Sequence, residues 1–128
     1  MGGLYLTLYL INGQPRARPL MWREESPTTM RFMTVECKAP GLHEVRATGL
    51  GCLLILREVL EQVKFRTEAG SEAFDDIPFC TDVRGLGFPV FVDSGQACRH
   101  LVHFGGRFLD VGLKGGKLDM KPWKPARD

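Results

Sequence analysis

The sequence has no closely spaced cysteine pair, no long apolar run and almost no net charge, and each absence removes a class of protein. Cys37, Cys52, Cys80 and Cys98 lie far apart in 128 residues, so no CxxC motif is present, and a free core cysteine acts as a small hydrophobe. The apolar stretch Leu4–Ile11 is far too short to span a membrane. The amino terminus shows no basic lead-in and no small-residue cleavage site, so no signal peptide is expected. Reduced thiols and a cytoplasmic setting follow as the expectation. A net charge of +2 is too small by itself to imply a nucleic-acid or membrane partner. There is no HExxH pair, no calcium loop and no Ser/His/Asp order, and no cofactor is expected.

Fifteen glycines and eight prolines argue instead for many turns and substantial β content. Leu4–Ile11 alternates leucines with Tyr5, Thr7 and Tyr9, as a half-buried strand does. Asn12-Gly13 ends it, and Gln14–Pro19 reads as a cationic connector because it holds two prolines. Trp22–Thr29 reads as loop, with strands over Thr29–Lys38 and Leu42–Thr48. The strongest helical pattern covers residues 50–66, with Leu53, Leu56, Leu60 and Val63 on one face. Residues 67–81 read as an acidic loop, followed by a short apolar strand over Phe88–Val92. Asp93 and Gln96 have the spacing of a capping box, which predicts a second helix over 94–104. A hairpin turning at Gly115-Gly116 closes the chain. The expected fold class is α+β: an antiparallel sheet of five or six strands packed by the main helix (50–66) and the shorter one (94–104). Residues 1–120 form the single domain and residues 121–128 a basic tail containing proline and tryptophan.

Gln96-Ala97-Cys98-Arg99 resembles the first four residues of the caspase active-site pentapeptide, follows an apolar strand, and has His43 upstream. The resemblance implies a nucleophilic Cys98 with His43 as base. His100 in place of the fifth residue's glycine departs from that pattern. Cys98, His100 and His103 also carry metal-ligand chemistry, although the bland reading is exposed polar residues on a short helix.

Charge is segregated. Five acids and no base lie between Thr67 and Val83, whereas seven bases and three acids follow Gly95. In the acidic stretch, Phe74, Asp75, Asp76 and Phe79 are candidate contact residues. At the basic end, Arg107, Lys114, Lys117, Lys121 and Lys124 surround Trp123. Such a cluster can hold an acidic protein or a single-stranded nucleic acid, or simply remain solvated. The leading expectation is a non-enzymatic module acting by protein–protein contact, as an accessory, adaptor or inhibitor. Nucleic-acid binding through the basic hairpin and tail is the alternative, and a small cysteine hydrolase centred on Cys98 the third reading. The opposite poles also permit head-to-tail self-association; no membrane partner is expected.

Overall fold

In the computed structural model, which describes residues 1–69 and 75–126, the alternating amino-terminal stretch forms two strands separated by Tyr5. They are β1 (Gly2–Leu4) and β2 (Leu6–Ile11). Asn12 and Gly13 take φ of 51° and 73°, the left-handed pair that a two-residue hairpin needs. The chain returns as β3 (Gln14–Pro19), where a connector was expected. β3 pairs only with β2, and on an edge strand the prolines can face away from the ladder. Next come β4 (Met21–Ser26), in place of the expected loop, and β5 (Thr29–Phe32). A 3-10 turn at Glu36–Lys38, β6 (Leu42–Val45) and β7 (Ala47–Thr48) follow.

The expected sheet packed by one main helix is not what forms. The described residues are 49% strand and 16% helix, in four small sheets. Of residues 50–66 only α1 (Arg57–Gln62) is helical. The preceding segment is extended because it pairs with the edge of β1: Gly3 N–H donates to the Cys52 carbonyl (2.9 Å) and Leu54 N–H to the Met1 carbonyl (2.8 Å). Its burial follows the strand period, with Leu53 and Ile55 half-buried and Leu54 and Leu56 exposed. A run in which every position is apolar fits either period, and pairing chose the extended form. Leu56 and Leu60 therefore do not pack a helix onto a sheet; Val59 and Val63 are the buried pair.

The second helix is also corrected. Residues 94–104 hold the end of β8 (Val90–Ala97) and the whole of β9 (His100–Phe104). The Asp93 carboxylate caps no helix; it accepts the Gly95 N–H two residues on (2.9 Å). The longest helix is instead α2 (Asp76–Gly85), inside the acidic stretch, with Pro78 in its first turn and Phe79, Cys80 and Val83 buried. Such a proline position suits a helix start. β10 (Arg107–Lys114) and β11 (Lys117–Pro122) form the expected carboxyl-terminal hairpin.

The sheets are ordered β1-β8-β6, β5-β4-β7, β2-β3 and β11-β10-β9, with β1 and β8 parallel. They enclose two cores. The larger joins Leu4, Met21, Met33, Val45, Phe79 and Val92 among others. The smaller lies between the β2-β3 hairpin and β9-β10, and holds Leu6, Val102, Leu109 and Val111. Tyr5 stands between them. Its hydroxyl accepts the Gly51 N–H (2.8 Å), and its ring meets His100 edge-on with centroids 5.2 Å apart. A Cβ on Gly49 would overlap the phenol, and one on Gly51 would lie 2.9 Å from its hydroxyl. The Gly49-Leu50-Gly51 turn is thus a clasp around an aromatic ring.

Two outcomes follow. Tyr5→Phe should destabilise by about 1 kcal/mol in urea melts, the value of one lost hydrogen bond. Gly49→Ala should cost roughly 1–3 kcal/mol by displacing the ring. Separately, Arg31 donates to Glu36 at 2.5 Å, with Arg23 at 3.7 Å. That hydrogen bond holds the Glu36 carboxyl at about 2 instead of 4.5. A depressed acid stabilises the fold fully above its unfolded value and loses that contribution as pH falls. Acid melts should therefore show Glu36→Gln converging on the parent between about pH 4.5 and 2, and a constant gap across that range would exclude the ion pair as a source of stability.

Candidate functional site

Cys98 ends up after β8 and outside any helix, so no helix dipole favours its thiolate. Its N–H donates to the Leu4 carbonyl (2.6 Å). Its sulfur lies beside that of Cys52 in a gap left by Gly3: a side chain there would come within 3.0 and 3.1 Å of the two sulfurs. Burial, and then the Cys52 thiol, push the Cys98 thiol above its ordinary range, the reverse of nucleophile activation. His43, on β6, faces a different partner. Its Nε2 lies 3.0 Å from both the Ala39 carbonyl and the Ser94 hydroxyl. Cys98 and His43 form no hydrogen bond with each other, and the cysteine-hydrolase pairing is not assembled.

The Ser94–His43 contact was invisible in the sequence, where the two residues are 51 apart. A serine nucleophile needs its proton directed at a free imidazole lone pair. Ser94 is buried, and its single proton is shared between the carbonyls of Ala39 (2.6 Å) and Gly41 (3.1 Å). The cluster ties the 39–41 turn to β8.

The metal candidates diverge too. His100 donates from Nδ1 to the Leu6 carbonyl (2.7 Å), whereas His103 lies on the opposite face of β9, against Phe108. Among the described residues, no group of three or more potential ligands comes together.

Of the acidic candidates, Phe74 lies outside the described residues. Asp75 and Asp76 are half-buried at the start of α2, where burial raises the Asp76 carboxyl. Phe79 is a core residue stacked on Phe65 with centroids 4.5 Å apart. Asp75, Asp76 and Phe79, the described ones among them, do not form an exposed contact patch together.

Two surfaces do. The first is an apolar groove of about 370 Å³ between the 53–56 segment, α1, α2 and the start of β8, walled by Met1, Leu54, Leu56, Val59, Val83 and Phe88. Leu54 is 72% exposed and Leu56 61%, and Leu60 on α1 is exposed as well. The terminal ammonium donates to the Leu54 carbonyl (2.7 Å), and β8 is paired on both edges.

The second surface is the outer face of the β9-β10-β11 sheet, and its register gathers most of the basic candidates. His103 faces Phe108, and the Trp123 N–H donates to the Phe108 carbonyl (3.0 Å). The three rings thereby form a row across the strands. Lys121 lies opposite Asp110, and Lys114 opposite Lys117. Alternation sends Arg107 to the other face from Phe108, while Lys124 is exposed beyond the strand end. A third, polar cleft of about 240 Å³ is lined by Arg23, Glu24, Glu44, Arg46 and Arg84. There the Arg84–Glu44 contact (3.6 Å) partly neutralises the cations.

If the serine cluster is structural, Ser94→Ala should destabilise by roughly 1–3 kcal/mol in denaturant melts, and a fluorophosphonate probe should leave Ser94 unlabelled in the folded protein. Rapid labelling at Ser94 would reverse that assignment. No protein-family model, no curated protein and no solved structure matches this chain.

Proposed function

We propose that the protein is a non-enzymatic binding module that works by protein–protein contact, receiving an amphipathic helical segment of its partner in the apolar groove. The observation that carries this reading is the exposure of Leu54 and Leu56 on a groove with an apolar wall. A small-molecule site orients its ligand with a few convergent polar groups, and here the wall offers almost none. Backbone groups at the groove's rim are already paired at Met1 and Leu54, so an extended strand would find little ladder to join. An occupant that satisfies its own backbone and contributes apolar anchors fits that chemistry, which is the helix-in-groove mode.

The test uses two designed amphipathic peptides about four turns long, one with a lysine polar face and one with a glutamate face, and a scrambled control of each. Both amphipathic peptides should bind saturably by calorimetry. Leu54→Asp and Leu56→Asp should each weaken binding at least roughly tenfold with little effect on the melting temperature, since both side chains are exposed. Equal binding to parent and variants, or none, would end the groove reading. A parent that elutes as a dimer and becomes monomeric in both variants would replace the partner with a second copy of this chain.

A further inference from the structure

Among the described residues no other element covers the outer face of the β9-β10-β11 sheet, whereas its inner face packs on the β2-β3 hairpin through Leu6, Val102, Leu109 and Val111. On that open face Phe108 is 47% exposed and Trp123 45%, on a surface otherwise rich in charge. Their centroids are 6.1 Å apart and nearly perpendicular, and the His103–Phe108 distance is 5.0 Å. Phe108 and Trp123 are thus both about half exposed and meet edge-on, not face to face. The charge pattern on the face is equally specific. Arg99 lies over Gly112, whose missing side chain makes room for it, and binds both carboxylates of the face: Asp110 at 2.6 Å and Asp119 at 2.8 Å. With the acids occupied, Lys114, Lys117 and Lys121 are left without ion pairs among the described residues, as is Lys124 beyond the strand end. From the aromatic row to the Lys114–Lys117 pair is six residues of strand, on the order of 20 Å.

We infer that this face binds single-stranded nucleic acid, with bases stacked on Phe108 and Trp123 and phosphates held by Lys121, Lys114, Lys117 and Lys124. The occupant follows from the pairing of free cations with open aromatic rings. An acidic protein would use the lysines and leave the row of rings without a planar partner. A duplex hides its base faces within the stack. A single strand presents both a regular anionic backbone and exposed π-faces, which is what aromatic platforms in basic grooves recognise. The site is separate from the apolar groove and does not depend on the reading given to it.

The experiment is fluorescence anisotropy with labelled oligo(dT) and oligo(U), alongside the emission of Trp123; the other tryptophan, Trp22, is buried. Either oligonucleotide should bind at low salt with an affinity on the order of micromolar, losing affinity as salt rises with a log–log slope near −0.7 per phosphate contacted. Stacking should quench the indole emission. Phe108→Ala and Trp123→Ala should each weaken binding by roughly five- to a hundredfold. The Lys114→Ala/Lys117→Ala pair, remote from the rings, should flatten the salt slope by about 1.4 even if an aromatic variant folds poorly. Leu54→Asp, in the groove, should leave oligonucleotide binding unchanged. No anisotropy change at low salt overturns the proposal. So does polyglutamate that binds as tightly as the oligonucleotides, or binding that survives loss of both rings in folded variants.

Discussion

The phenol of Tyr5 occupies the point where the chain leaves one core and enters the other. Leu4, immediately before it, is buried in the larger core, and Leu6, immediately after, in the smaller. Between them the hydroxyl is fixed to the Gly51 N–H and the ring to His100. Burial raises the phenol above its ordinary range. The fit depends on the absence of side chains at Gly49 and Gly51. Small cores are individually weak because little surface is removed from water in each, so a residue that couples them has an effect beyond its own contacts.

The division into small sheets also explains why the protein has open surfaces. An antiparallel sheet needs only one covered face. The β9-β10-β11 sheet spends its inner face on the β2-β3 hairpin and leaves the outer face to Phe108, Trp123 and the lysines. Around the larger core, pairing of residues 52–54 with β1 pulls the leucine-rich stretch out of a helix. Every second leucine is thereby turned to solvent, and that same event produces the apolar groove. Both candidate surfaces are consequences of how strands were paired.

Local signals were legible where the chain's chemistry leaves one solution. Gly115-Gly116 was legible as a hairpin turn and forms one, whereas Asn12-Gly13 was legible as a turn but the strand returning from it, β3, was not. Trp123 and the lysines were visible as a basic aromatic cluster, but their arrangement was not. That required the register that sets Phe108 between His103 and Trp123, and the ion pairs by which Arg99 neutralises Asp110 and Asp119. Phe79 was a candidate contact residue that could equally plug the core edge, and it is buried because α2 presents it to the core. The four-residue match around Cys98 had no structural counterpart, since a thiol beside Cys52 on a strand end lacks both the helix and the histidine.

What the sequence by itself determined was therefore the turns, the tendency to strands and the segregation of charge, because these depend on residues within a few positions of one another. Only the tertiary structure decided that Leu53–Leu56 stayed extended instead of helical, and strand pairing made His100–Phe104 the arm of a hairpin. Their local preferences were nearly balanced, and a pairing partner settled each: Met1–Gly3, distant in sequence, for the first, and Arg107–Val111, just across the Gly105-Gly106 turn, for the second. Backbone groups that find a ladder are satisfied there, and the side chains then follow the strand's period of two instead of the helix's 3.6.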